Sequence, residues 1–132
     1  MITNADITVY NQKLNPETKL IEYKRTQIEN VNWYSKQEVS VGDKGLNSAD
    51  SYKIRIPEES PASTYVNEKE YSKLENVSGH WTLKNGDKIV RGLVDDDIAK
   101  GSDLGKYAEV CTVVSYSDNR RGLLPHWRVG GA

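Results

Sequence analysis

Apolar and polar residues alternate with a period of two along most of the chain, the pattern of strands with one face in a core and the other in water. The stretch "SYKIRIP" is the cleanest instance: Tyr52, Ile54 and Ile56 share one face, Lys53 and Arg55 the other, and Pro57 ends the run. Ile7 and Val9 share a face in "ITVYN". In "LIEYKRTQIENVNWYSK", Ile21, Tyr23 and Arg25 alternate with Glu22 and Lys24, after which Val31 and Trp33 fall together. That length predicts two strands or one strongly bent strand. Val39 and Val41 share a face ahead of a glycine-rich stretch. Asn85-Gly86 suits a type I′ turn, which needs positive φ at both central residues, so Trp81 and Leu83 are expected to pair across a hairpin with Ile89–Leu93. In "AEVCTVVSY", Val110, Thr112, Val114 and Tyr116 occupy one face while Cys111 and Val113 make the other apolar too, which predicts a central strand. "HWRV" sets Trp127 and Val129 inward as the last strand.

Helical signals are short. Asn67 can cap a helix with Glu70 at its third position, and Tyr71 and Leu74 then share a face. "DDDIAKGSDLGKY" has room for a turn or two of helix, limited by Gly101 and Gly105. The expected fold is mainly β: a small β-barrel or sandwich of about seven to eight antiparallel strands, with one or two short helices and long loops. A chain of 132 residues is one domain by length, spanning 1–132. Two stretches read as excursions from it, 42–50 and 57–79.

Charge changes the picture chiefly by exclusion. Eighteen basic and nineteen acidic residues leave a net charge of −1, so no global field draws in nucleic acid or an anionic membrane. No run is long enough to span a bilayer, and the N-terminus lacks a basic start followed by an apolar core, so a cytoplasmic start is expected. The single cysteine, Cys111, excludes an internal disulfide and a cysteine-rich zinc site, and it reads as an inert buried strand residue. Eight tyrosines and three tryptophans without any phenylalanine suit interface edges or a thin core.

Candidate chemistry is sparse. His80 and His126 each stand beside a tryptophan at a strand end, outside any spaced metal motif, and read as structural. No GxSxG elbow, P-loop or GxGxxG occurs. A hydrolase using His126 remains a formal alternative. Asp95, Asp96 and Asp97 do not fit a calcium loop and read as a solvated turn capping the next short helix. Asn76-Val-Ser78 matches a glycosylation sequon, which has no meaning without a secretory signal. In "SYSDNRRG", Asp118 and Asn119 favour an Asx-type turn and Gly122 can adopt a left-handed conformation, so Arg120 and Arg121 are expected to project from a tip between two strands. Two adjacent guanidinium groups could meet a phosphate or a carboxylate. From a different class, Tyr34, Trp81 and Trp127 could stack sugars in a carbohydrate- or receptor-binding module.

Four blocks in order, Asn30–Glu59, Thr64–Leu74, Trp81–Val94 and Val113–Gly131, resemble a family of small tailed-bacteriophage and prophage virion proteins encoded near head-tail connector and minor capsid genes. The resemblance covers nearly the whole chain from Ile2. It implies a non-enzymatic structural protein of the head-tail neck: a head-closure or stopper ring between the portal-side connector and the tail, with a tail terminator as the alternative. Expected partners are other copies of the chain in a ring, the connector and tail proteins, and genomic DNA sliding past without sequence recognition. No membrane, cofactor, metal or catalytic residue is implied. The expected location is the virion, after assembly in the host cytoplasm. Near-neutral charge suits a channel that DNA must leave freely. Asp43, Lys44 and Asn47 in the first excursion, which Gly42 and Gly45 make the more flexible one, and Arg120 and Arg121 are the candidate subunit-interface or channel contacts. One of the two excursions is expected to reach toward a neighbouring subunit or the lumen.

Overall fold

The structure is a computed structural model that describes residues 3–42, 45–98, 101–107 and 109–132, with side chains described outside 36–51 and 101–102. The chain is mainly β, as the alternation predicts. Its strands are β1 (Ala5–Leu14), β2 (Ile21–Gly42), β3 (Gly45–Pro57), β4 (Thr64–Tyr65), β5 (His80–Trp81), β6 (Lys88–Arg91), β7 (Val110–Asn119) and β8 (His126–Gly131). Six of them close into a barrel in the order β1-β2-β3-β8-β7-β6, each neighbour antiparallel, and β6 pairs back to β1. β4 and β5 form a separate parallel pair. Helix α1 (Glu68–Lys73) and a 3-10 turn (Gly101–Lys106) complete the element order.

The barrel interior holds Ile7, Val9, Val31, Trp33, Ile54, Ile56, Trp127 and Val129, grouped as the alternation groups them, together with Cys111 and Val113, the second apolar face of β7; all belong to one buried cluster. A second cluster, Tyr10, Val90, Val94 and Leu104, lies on the opposite face of β1 and β6, with Ile98 and Tyr107 packed against it. Ile7 through Asn11 are therefore buried on both faces, although only Ile7 and Val9 carry an apolar period. Thr8 holds this second layer by polar means: its Oγ1 donates to the Gly92 carbonyl at 2.8 Å and accepts from the Val94 amide at 2.8 Å. In β7 the register shifts between Val113 and Ser115. That bulge swaps the phase, so Val114 is exposed while Tyr116 packs against the main core.

β2 is the bent strand of the two sequence alternatives. It pairs with β1 from Ile21 to Val31 and with β3 from Asn32 onward. The bend falls where the β1 register slips between Ala5 and Ile7 and where Asn30 takes φ +60°, its amide donating to Asp6 Oδ1 at 3.1 Å. An asparagine tolerates this left-handed backbone better than most residues.

Beyond the barrel, β2 and β3 run on together. β1 reaches β2 only to Val31, and β8 covers β3 only from Tyr52, yet the β2–β3 ladder continues to Gly42 opposite Gly45. Among the described residues, 36–42 and 45–51 pair only with each other, a two-stranded arm roughly 20 Å long at the usual rise of a strand. The loop expected at 42–50 is thus largely strand. The register sets Val41 opposite Leu46 and Val39 opposite Ser48, and a mostly polar stretch does not look like a strand pair until that register is known.

The excursion 57–79 returns to its own barrel instead of reaching away. Asn67 caps α1 as its spacing predicts, accepting from the Glu70 amide at 2.9 Å, and Tyr71 is buried beneath the helix. Tyr65 packs its ring at 5.1 Å from Trp81 and 5.0 Å from Trp127. Through Tyr65 the segment acts as a plug against the barrel core.

The expected hairpin around Asn85-Gly86 does not form. A turn is present, with Gly86 at φ +99° and the Asp87 amide donating to the Lys84 carbonyl, but Asn85 is not left-handed. β5 pairs with β4, and β6 with β1 and β7. The reason is Asn11. Its side chain donates to the Thr82 carbonyl at 2.7 Å and accepts from the Thr82 amide at 3.3 Å, standing in for a strand partner at the point where the hairpin would close.

Candidate functional site

The "SYSDNRRG" tip is a turn between β7 and β8, as read, but it does not present both arginines. Asp118 Oδ1 accepts from the Arg120 amide at 3.2 Å, completing the Asx turn, and the same carboxylate grips the Arg120 guanidinium at 2.8 and 2.7 Å. That guanidinium lies over the rings of Tyr65 and Trp127, at 5.3 and 5.0 Å from their centroids. Arg120 therefore turns back to fasten the plug, because a planar cation gains from both the carboxylate fork and the two ring faces. Its side-chain hydrogen bonds, helped by its charge, hold the Asp118 carboxyl below the usual carboxylate range. Arg121 remains exposed, beside Leu123, which is fully exposed, and Leu124; with His126 they line a shallow groove of about 430 Å³. Gly122 is not among the left-handed glycines. Asp43 and Lys44 lie outside the described residues. Asn47 sits in the arm, paired with Ser40.

Neither histidine enters a catalytic arrangement. His126 Nδ1 lies 2.6 Å from the Leu124 carbonyl oxygen and His80 Nδ1 lies 3.1 Å from that of Ser78, both contacts within a turn. Burial pushes the Cys111 thiol up to about 12, so it is not a nucleophile at neutral pH. The aspartate run is exposed but tied down from β2 and the 3-10 turn. Gln27 bonds Asp95, Arg25 pairs with Asp97 at 2.8 Å, and Lys106 and Tyr107 both hold Asp96. Among the described residues no group of His, Cys, Asp or Glu is arranged to hold a metal ion, and no helix is long and apolar enough to cross a membrane. Trp81 and Trp127 are 0% and 3% exposed, so two of the three rings considered for sugar stacking are core. Tyr34 is half-exposed.

Two features were missed by sequence reasoning. The first is a buried carboxyl: Asp87, with no exposed surface, accepts from Asn11 Nδ2 at 2.8 Å and from the Gln12 amide at 3.0 Å. Burial outweighs these bonds and lifts its pKa to about 6. Its partner Gln12 also lines a cleft of about 1030 Å³ between the β1–β2 turn and α1, rimmed by mixed charges such as Lys13, Glu22, Lys73 and Glu75. The second is a cationic face. Register places Asn32, Arg55, Arg128 and Ser117 in one row across β2-β3-β8-β7, and Tyr34, Lys53, Gly130 and Ser115 in the next. Arg55 and Arg128 stand directly opposite each other, both exposed, with Lys53 two residues along. A shallow groove of about 420 Å³ runs here, lined by Lys53, Arg128, Ser115, Ser117 and the two glycines Gly130 and Gly131. The alternation of "SYKIRIP" puts Lys53 and Arg55 outward, but only the sheet order brings Arg128 beside them.

Closed barrel, a plug packed on its core, an arm of residues 36–51 outside the barrel ladder and no assembled catalytic or metal centre among the described residues define a small β-barrel protein whose candidate sites are surfaces. A family model described as "Family of unknown function (DUF6751)" matches residues 2–132, and the chain belongs to that family. No curated protein and no solved structure matches it.

Proposed function

We propose that the chain is a non-enzymatic structural protein of a tailed-phage virion, a neck component that works as a head-closure or stopper ring around the DNA channel. The virion class rests on the resemblance of its four sequence blocks. The observation that carries the assembly role is the arm. A two-stranded ribbon is marginally stable by itself, and its outer backbone edges invite pairing with another chain. A protein that keeps such a ribbon of residues 36–51 outside a closed barrel gains from it when the ribbon docks on a neighbour. Head-to-tail rings need two different surfaces per subunit, and the arm at one place with the Arg121, Leu123 and Leu124 tip at another supplies two. The carbohydrate-module reading loses support, since Trp81 and Trp127 are buried.

The test is a chain in which Ser35 is joined to Tyr52 through an Asn-Gly turn. The expected outcome is a folded barrel that no longer assembles with the connector, giving heads that lose DNA or fail to join tails. Unchanged infectious particle yield would overturn the reading.

A further inference from the structure

We infer that the outer face of β3 and β8 bearing Lys53, Arg55 and Arg128 is a contact surface for the phosphate backbone of duplex DNA. Resting on the neck reading, it is the face a ring turns toward its channel. Directly opposed residues of an antiparallel pair bring their Cβ atoms to about 5 Å, where like charges destabilise the sheet. Arg55 opposite Arg128 is such a pair, and none of the three cations makes an ion pair or side-chain hydrogen bond with a residue whose side chain is described. Three of the other four arginines are neutralised, Arg25 by Asp97, Arg91 by Glu109 and Arg120 by Asp118, leaving Arg121 at the β7–β8 tip. The two rows around the cations contain Asn32, Tyr34, Ser115, Ser117 and Gly130, and no acid. An unrelieved repulsion on one face of a chain whose net charge is −1 calls for an anion from outside.

The face favours a phosphate backbone over a single small anion. It is a sheet surface with a shallow groove and not an enclosed pocket, and the hydroxyls of Ser115 and Ser117 line that groove beside Lys53 and Arg128. Guanidinium forks, hydroxyls and an amide are the donors used on phosphate oxygens, and these contacts carry no sequence information. Three cations give a weak contact that lets go easily. Releasing about three counterions sets a log–log salt slope of roughly −2.7, so doubling the salt weakens binding about sixfold. A ring multiplies that contact around the duplex without fixing it in place.

The experiment is a titration of the ¹⁵N-labelled full chain with a short mixed-sequence DNA duplex at low ionic strength, read by amide shifts. Shifts centred on β3 and β8 around Lys53, Arg55 and Arg128 are expected, with a slope that flattens by about 0.9 for each of K53Q, R55Q and R128Q. All three side chains are exposed, and core amide positions report whether each variant remains folded. No shifts, shifts centred on Arg121, or equal shifts with polyglutamate would each overturn the inference. Ring assembly with the connector is scored separately. Rings without DNA shifts reject this face alone, whereas DNA shifts without rings reject the neck reading alone.

Discussion

Asp87 is the residue whose environment departs furthest from what its neighbours in the chain suggest. In "KNGDK" it looks like a turn aspartate, yet it is completely buried and its carboxyl titrates near about 6. A folded pKa above the unfolded value of 3.8 means the native state holds the proton more tightly. This contribution to stability is full below about pH 4 and is lost as pH rises through about 6, a difference of about 3 kcal/mol at roughly 1.4 kcal/mol per pH unit. Asp87→Asn should remove that fall, visible as a flatter stability curve between pH 4 and 7 in urea melts, at about those two limits; parallel curves for the two proteins would contradict it. The glycines of β8 give a second test at this scale. A Cβ on Gly131 would lie 2.6 Å from Cys111 Sγ and 2.9 Å from its Cβ, whereas one on Gly130 would meet only Ser115 Oγ at 2.5 Å, with nothing else inside 3.9 Å. Gly131→Ala should cost about 1–3 kcal/mol and keep most of that cost in a Cys111→Ala background. Gly130→Ala should be mild and fully relieved by Ser115→Ala, a difference a double-mutant cycle resolves. Neither close approach is readable from "HWRVGG", because the neighbour arrives from a strand about twenty residues away in the sequence.

Elements were legible where the signal is local. The Asn67 cap with Glu70, the inward sets of β1, β3 and β8, and the outward Lys53 and Arg55 all follow from spacing that the backbone reads within a turn or a strand. The elements that misled were those decided by a distant partner. Asn85-Gly86 made its turn, but Asn11 occupies the backbone of Thr82 and joins Asp87, so the segment is stitched to β1 and not to itself. Asn11→Ala should cost at least about 2 kcal/mol, since it leaves a buried carboxyl and two backbone groups short of partners. Its denaturation midpoint should fall further at about pH 7 than at about pH 4, where Asp87 is protonated. Arg120 misled in the same way: its adjacency to Arg121 suggested a pair of free cations, while Asp118, Tyr65 and Trp127 had already claimed it. Arg120→Ala should loosen the plug, seen as faster exchange of the Tyr65 and Val66 amides, the latter bonded to the Trp81 carbonyl at 3.0 Å.

For the whole molecule, the decisive fact is that closure and protrusion coexist. The barrel closes through the short β6, which pairs only Ile7–Tyr10 of β1 on one side and Val110–Thr112 of β7 on the other, so its edges are consumed. The arm keeps a free edge on each of its two strands, and among the described residues these strands share no ladder except with each other. These two parts should therefore open independently. In hydrogen exchange, the amides of Ile7–Asn11, buried on both faces, should be among the slowest and should report global unfolding. Amides of 36–42 and 45–51 should exchange by a local opening of far lower free energy, with no change when the barrel is destabilised by Asn11→Ala. Upon assembly the arm should slow toward the rate of the barrel, because a docked edge gains hydrogen bonds and an excluded surface that the lone ribbon lacks. An arm that is already as slow as the barrel in the isolated chain would mean it is anchored within its own subunit, and a neighbour would not be what it is built to meet.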